Sequence, residues 1–142
     1  MRRTPGRIDE LITVAAESRP DAIHLILTDG SFARYADTAV RAWGLELCCL
    51  DPQEYSSCTT AVVMPEGRDE AQFRRAVLEQ FDLSLGAGLS KLAGRVFRIG
   101  HLGWFNDLML CGALCGVEMG LRKCGIPFNP GGVDAAMACL SK

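Results

Sequence analysis

Lys91-Leu-Ala-Gly-Arg-Val-Phe-Arg-Ile-Gly-His-Leu-Gly-Trp-Phe-Asn-Asp-Leu-Met-Leu-Cys-Gly-Ala-Leu-Cys-Gly-Val-Glu-Met-Gly-Leu121 is the stretch around which the chain is organised. Residues 95–99 set Arg95, Phe97 and Ile99 against Val96 and Arg98, an alternation of period two that predicts a strand with a cation on each face. Of the two cations, Arg98 is expected over the less solvated side. An always-charged guanidinium is costly there unless a carboxylate or phosphate meets its planar fork of donors. Gly100-His101-Leu102-Gly103 ends the strand. Asn106 then starts a long apolar helix, because its side chain can accept from the orphan N–H groups of the first turn. Gly112, Gly116 and Gly120 recur every fourth residue and so line one stripe of that helix. Each costs about 1 kcal/mol relative to Ala in a helix interior, so close packing is expected along the stripe. Gly125 and Pro127 stop the helix, the first by tolerating a left-handed closing residue and the second by refusing another turn.

Working back toward the start, Asp69 and Gln72 have the spacing of a capping box, and Phe73, Ala76, Val77 and Phe81 line one side of the helix that follows. Ser84-Leu-Gly-Ala-Gly-Leu-Ser90 reads as a glycine-rich loop. It lacks the spacing of a P-loop or a dinucleotide fingerprint, so Lys91 behind it reads as a surface lysine rather than a phosphate ligand. Thr59–Met64 is a strand stopped by Pro65 and Gly67, and Leu45–Leu50 a second one. The loop from Asp51 to Ser57 is long enough for the two to pair antiparallel. Phe32, Ala36, Ala39, Val40 and Trp43 mark a helix closed by Gly44. Before it, Thr4-Pro5 with Ile8, Leu11, Ile12 and Ala15 predicts a helix, and residues 22–28 a buried strand. At the other end, Val133, Ala136, Met137 and Leu140 predict a short terminal helix.

The bulk properties narrow the classes. A chain of 142 residues supports one compact domain. A hydrophobic content of 49%, a charged content of 23% and a net charge of −2 give no basic excess for nucleic acid. The apolar run from Leu108 to Val117 is closed by Asp107 and Glu118 and is too short to cross a bilayer. Asp9 and Glu10 interrupt any signal-peptide core, which makes a cytoplasmic location the expectation. Seven cysteines, an odd number without regular spacing, read as reduced thiols. Cys111 and Cys115 share a helix face. His24 and His101 stand at no metal-ligand spacing from them, so no metal site is expected. His101, beside a strand end, reads as a hydrogen-bonded packing residue.

Taken together, Lys-Leu-Ala-Gly-Arg-Val-Phe-Arg-Ile-Gly-His-Leu-Gly, Phe-Asn-Asp-Leu-Met-Leu and Gly-Val-Glu-Met-Gly-Leu resemble the C-terminal region of class V aminotransferases, in particular the serine–glyoxylate and alanine–glyoxylate group. The resemblance covers residues 32–140, is dense from residue 59 onward and is absent before residue 31. It implies an unassigned helix-strand segment at 1–31, then an aminotransferase small domain at 32–142. It implies that Arg98, in the Arg-Ile-Gly motif, grips the α-carboxylate of an amino-acid or keto-acid substrate. The residues alone favour a structural ion pair in the sheet, and it is the resemblance that makes carboxylate binding the preferred reading. Trp104 stands where the family more often has an acidic residue.

The resemblance also implies pyridoxal phosphate as the cofactor of the complete enzyme. The cofactor needs a lysine for its Schiff base. Of the lysines here, Lys91 matches a small-domain motif, Lys123 ends a helix and Lys142 is terminal. None matches the cofactor motif, so the chain is expected to bind no cofactor and to be inactive alone, its partner being a large domain. An alternative reading is a non-catalytic module that docks or homo-oligomerises through Gly112, Gly116 and Gly120. The expected architecture is α+β. Strands near 45–50, 59–64 and 95–99 form a small, mainly antiparallel sheet, covered on one face by helices near 32–43, 69–81 and 106–124.

Overall fold

A computed structural model describes residues 31–103 and 105–141. The helix predicted from Thr4-Pro5, the strand predicted at 22–28, Trp104 and Lys142 lie outside the described residues. Four α-helices and a four-stranded antiparallel sheet make up the described α+β fold. The chain runs α1 (Ser31–Ala42), β1 (Glu46–Leu47), β2 (Thr59–Val63), α2 (Glu70–Phe81), β3 (Gly86–Ala87), β4 (Val96–Gly100), α3 (Asp107–Lys123) and α4 (Gly132–Leu140). The sheet order is β1-β2-β4-β3, with every neighbouring pair antiparallel.

Local chemistry sets the ends of the helices. The Asp69 carboxylate accepts from the N–H groups of Ala71 at 2.9 Å and Gln72 at 3.1 Å, satisfying two donors at the start of α2. Asn106 does the same for α3, accepting from the Met109 N–H at 2.9 Å. At the far end of α3, Gly125 takes a left-handed φ of 60°, and the Ile126 N–H reaches back to the Leu121 carbonyl at 2.9 Å.

Two strands differ from expectation. β1 is two residues long rather than six, with one further bond from the Cys48 N–H to the Ala61 carbonyl at 2.9 Å. Asp51 then caps a 3₁₀ turn over Pro52–Glu54 by accepting from the Gln53 N–H at 2.9 Å, and this pulls the chain off the sheet. The supposed loop at 84–90 contains β3, an edge strand on β4. Gly88 fixes this edge: its N–H donates to the Val96 carbonyl at 2.7 Å, and a Cβ there would overlap the Leu92 carbonyl.

Val62 faces Phe97 and Thr60 faces Ile99 across the β2–β4 ladder, and this row turns toward the helices. Trp43, Phe73, Phe97, Ile99, Leu110 and Leu114 are fully buried in one core, with the rings of Phe73 and Phe97 at 4.9 Å. Each such side chain contributes about 1.5–3 kcal/mol by leaving water. The glycine stripe of α3 divides. A Cβ on Gly120 would overlap Val77, and one on Gly116 would meet Leu83 Cδ2 at 2.7 Å, whereas Gly112 faces open space. Two of the three glycines are therefore covered by α2 and the segment behind it. This corrects the expectation that the whole stripe is available for docking.

A single carboxylate links α1, α3 and α4. Glu118 Oε2 accepts from the Trp43 indole N–H at 2.7 Å and from the Val133 N–H at 3.4 Å, while Arg122 stands 4.0 Å from Oε1. Gly132 packs so tightly on the indole that a Cβ would overlap it. Burial pushes the Glu118 pKa up, but the donors of Trp43, Val133 and Gly131 and the charge of Arg122 outweigh that, and the carboxyl titrates below 4.5.

Gly120→Ala is expected to destabilise the fold by about 1–3 kcal/mol through overpacking, whereas Gly112→Ala stabilises it by about 0.5–1 kcal/mol. Urea midpoints of the two variants should move in opposite directions. Glu118→Gln should cost about 1–3 kcal/mol at pH 7 by removing a charged acceptor. Because the folded pKa of Glu118 is depressed, its contribution is present above the unfolded value and is lost as pH falls through the folded one. Urea titrations from pH 7 to pH 3 should therefore show the wild-type advantage over the variant shrinking below about pH 4.3.

Candidate functional site

Arg98 lies at the middle of β4, on the sheet face turned away from the core row. In the ladder it is flanked by Ala61 of β2 on one side and Gly86 of β3 on the other. Two small neighbours leave room for one long side chain. Arg98 is half-buried and Arg95 exposed, but Arg95 precedes β4 and Arg98 lies on the face opposite the core. The expectation that Arg98 takes the less solvated face of the strand is therefore corrected: its shielding comes from its place in the middle of the sheet.

The Arg98 side chain crosses β3, where its Nε–H donates to the Ala87 carbonyl at 2.8 Å. Among the described residues the ion pairs are Asp37–Arg41, Glu70–Arg74 and Glu118–Arg122, and no carboxylate answers Arg98. Among the described residues this half-buried guanidinium is held by a backbone carbonyl through Nε, which keeps its terminal Nη1 and Nη2 donors for another acceptor. This arrangement can do one thing well: hold a planar anion with two acceptor atoms. The structural ion pair that the residues alone favoured finds no carboxylate partner among the described residues.

His101 follows β4 and is fully buried. Its Nε2 lies 3.0 Å from the Thr60 hydroxyl, and its backbone N–H donates to the Cys58 carbonyl at 2.9 Å. Burial holds the imidazole pKa below 6.5, opposed by the carbonyls of Ser57 and of His101 itself, neither of which makes a hydrogen bond of normal geometry to Nδ1. The ring is neutral at pH 7 and ties the end of β4 to β2. It is not beside Arg98 in the register, since Arg98 pairs with Ala61 while Thr60 belongs to the core row.

A cleft of about 150 Å³ opens beside β2, between α1 and the 49–56 loop, with Asp37, Tyr55, Thr60 and Ala61 in its wall. Ala61 is the register partner of Arg98, but Arg98 itself does not line the cleft. The Tyr55 hydroxyl accepts from Arg41 Nη2 at 2.7 Å, and Arg41 Nε donates to Asp37 at 2.9 Å, so the polar groups on that side are already engaged. Lys91 sits in an exposed 3₁₀ turn and Lys123 is exposed at the end of α3, and neither lines the cleft beside β2. The described lysines therefore do not fit a Schiff-base site for pyridoxal phosphate. Among the described residues no group of three or more His, Cys, Asp and Glu side chains is placed to hold a metal. Burial and the neighbouring Cys111, Glu118 and Asp134 raise the Cys115 pKa, which disfavours its thiolate.

The sequence singled out Arg98 but neither of its supports. Gly86 and the Ala87 carbonyl come to it only through the pairing of β3 with β4. A glycine opposite a lone in-strand arginine is a signal that becomes readable once that register is known.

No family model matches the chain. It is 48% identical over 103 residues to the serine–glyoxylate aminotransferase of Methylorubrum extorquens, covering 72% of this chain and 26% of that protein. Against the serine–glyoxylate aminotransferase of Hyphomicrobium methylovorum it is 40% identical over 121 residues, covering 80% of this chain and 30% of that one. The crystal structure of pyridoxamine–pyruvate aminotransferase from Mesorhizobium loti matches the fold with a TM-score of 0.74 at 27% identity, over 79% of this chain and 29% of that chain. The chain thus spans less than a third of the length of these relatives. Sequence identity at that level, joined to a shared fold over the same share of each protein, makes this chain homologous to the class V aminotransferases over a part amounting to roughly 25–30% of their length, consistent with their C-terminal domain.

Proposed function

We propose that this fold is the substrate-gripping small domain of a pyridoxal-phosphate-dependent aminotransferase that moves an amino group from serine or alanine to glyoxylate, with Arg98 holding the substrate's α-carboxylate. The observation that carries the reading is the guanidinium of Arg98. It is half-buried, anchored through Nε alone and unanswered by any described carboxylate, on a sheet homologous to that of such enzymes. Serine, alanine and glyoxylate share only the carboxylate next to the reacting carbon, so one arginine fork serves donor and acceptor alike. The fork fixes distance and orientation together, which converts charge attraction into alignment of the reacting carbon.

Members of the family depend on pyridoxal phosphate. In this reading the cofactor and its lysine belong to a large domain that meets the Arg98 face of the sheet, and the 142 residues alone do not transaminate. The separate reading of a docking module loses its main support, because Gly116 and Gly120 already pack within the chain.

Two measurements test the proposal. Residues 32–142 joined to a cofactor-binding large domain of the family should transaminate, and Arg98→Lys should lower kcat/KM for every carboxylate substrate by about 2–5 kcal/mol, at least about 30-fold. Near-equal activity of the two forms would return Arg98 to a structural role. In an absorbance scan, the 142-residue chain mixed with pyridoxal phosphate should develop no stable internal-aldimine band at the edge of the visible range. Such a band would show that the chain carries a Schiff-base lysine of its own.

A further inference from the structure

We infer that β3 decides how Arg98 presents its fork: Gly86 is a positioning residue, and by occupying Nε the strand leaves Arg98 able to take a carboxylate only end-on, through Nη1 and Nη2. This rests on the carboxylate-gripping reading of Arg98 and specifies its geometry.

A guanidinium can meet a carboxylate with two parallel hydrogen bonds along either of two kinds of edge, one formed by Nε and an Nη group, the other by the two Nη groups. In this fold the first is blocked. The single Nε–H is given to the Ala87 carbonyl at 2.8 Å. That bond exists because the side chain lies across β3, and it can lie there only because the residue opposite it in the register has no side chain. A Cβ on Gly86 would stand 3.2 Å from Arg98 Cβ, 3.2 Å from Nε and 3.4 Å from Nη2, tighter than ordinary van der Waals contact along much of the arginine. The flexible outer part of the arginine is what can give most readily, and the shift that relieves Nε and Nη2 carries the guanidinium away from the new methyl group and off the Ala87 carbonyl.

The backbone of Gly86 itself places no such demand. It has no positive φ, so Gly86→Ala meets no backbone strain of its own, and its steric effect falls on Arg98. On the other flank, Ala61 closes the row with a single methyl group. The row Ala61–Arg98–Gly86 is thus asymmetric by one carbon, and the missing carbon determines toward which strand the arginine leans.

The test uses the full 142-residue chain labelled with ¹⁵N at arginine. In the wild type the Nε–Hε proton of Arg98 should exchange with water about 3- to 10-fold more slowly than that of exposed Arg95, the range that one net hydrogen bond supports. Gly86→Ala should abolish most of that protection while leaving the other arginine signals in place. Sodium glyoxylate, titrated as the probe, should shift the Nη resonances of Arg98 and leave Nε nearly still in the wild type. In Gly86→Ala it should move Nε as well.

Equal exchange at Arg98 and Arg95 in the wild type would overturn the inference without recourse to any variant. So would a Gly86→Ala protein in which Arg98 keeps its protection, or a wild-type titration in which Nε moves as much as Nη. A protected Nε with no response to glyoxylate at any Arg98 nitrogen would instead overturn the carboxylate reading and leave the positioning by Gly86 standing.

Discussion

The Glu118 carboxylate is the constraint on which the helical layer depends. It sits where α1, α3 and α4 meet, and it accepts from the indole of Trp43, the residue that follows α1, and from the backbone of Val133 in α4. A part-buried carboxylate left without donors would cost about 1–3 kcal/mol, so these contacts support this packing. They are also directional. The indole whose N–H meets Oε2 also packs on Gly132, and α4 can approach it this closely only because Gly132 lacks a Cβ. The charge therefore fixes the rotamer of the largest core side chain, and that side chain fixes the position of the last helix.

The helical layer in turn orients the sheet. Phe97 and Ile99 point into the core that Trp43 and Phe73 fill, and the period of two then sends Arg98 to the opposite face. A slip of one residue in the β2–β4 ladder would bury the arginine and expose the phenylalanine, so the register is held by the hydrophobic effect rather than by any contact of Arg98 itself. The candidate site inherits its geometry from the side of the sheet that it does not touch.

Much of this was legible in the sequence, for reasons that can be located. α2 and α3 lie within a residue of expectation because their caps, Asp69 and Asn106, are local chemistry that acts before any tertiary contact forms. β1 was overestimated because Leu45–Leu50 satisfies a strand pattern, while the Asp51-Pro52 turn that ends it acts from outside the pattern. β3 had no readable signal: two residues, one of them glycine, carry no alternation. Arg98 was marked by the improbability of a charge within an apolar strand together with a family resemblance. Its orientation was not, because that depends on Gly86 and Ala87, residues brought opposite it by register. Glu118 read only as the end of an apolar run, since its partners lie 75 and 15 residues away in sequence.

The two outer strands of the sheet, β1 and β3, are two residues long, whereas the inner strands, β2 and β4, are five. An outer strand offers unpaired backbone groups as a template on which another chain can add, and a long flat one recruits such additions readily. Here each rim is cut short, on one side by the turn at Asp51-Pro52 and on the other by the bend through Gly88 into the 3₁₀ turn at Ser90–Leu92. Among the described residues the sheet consequently shows a passing strand only a few hydrogen-bonding groups per edge, too few to seed a ladder. The same brevity that hid β3 from sequence reading guards the fold against edge-to-edge aggregation.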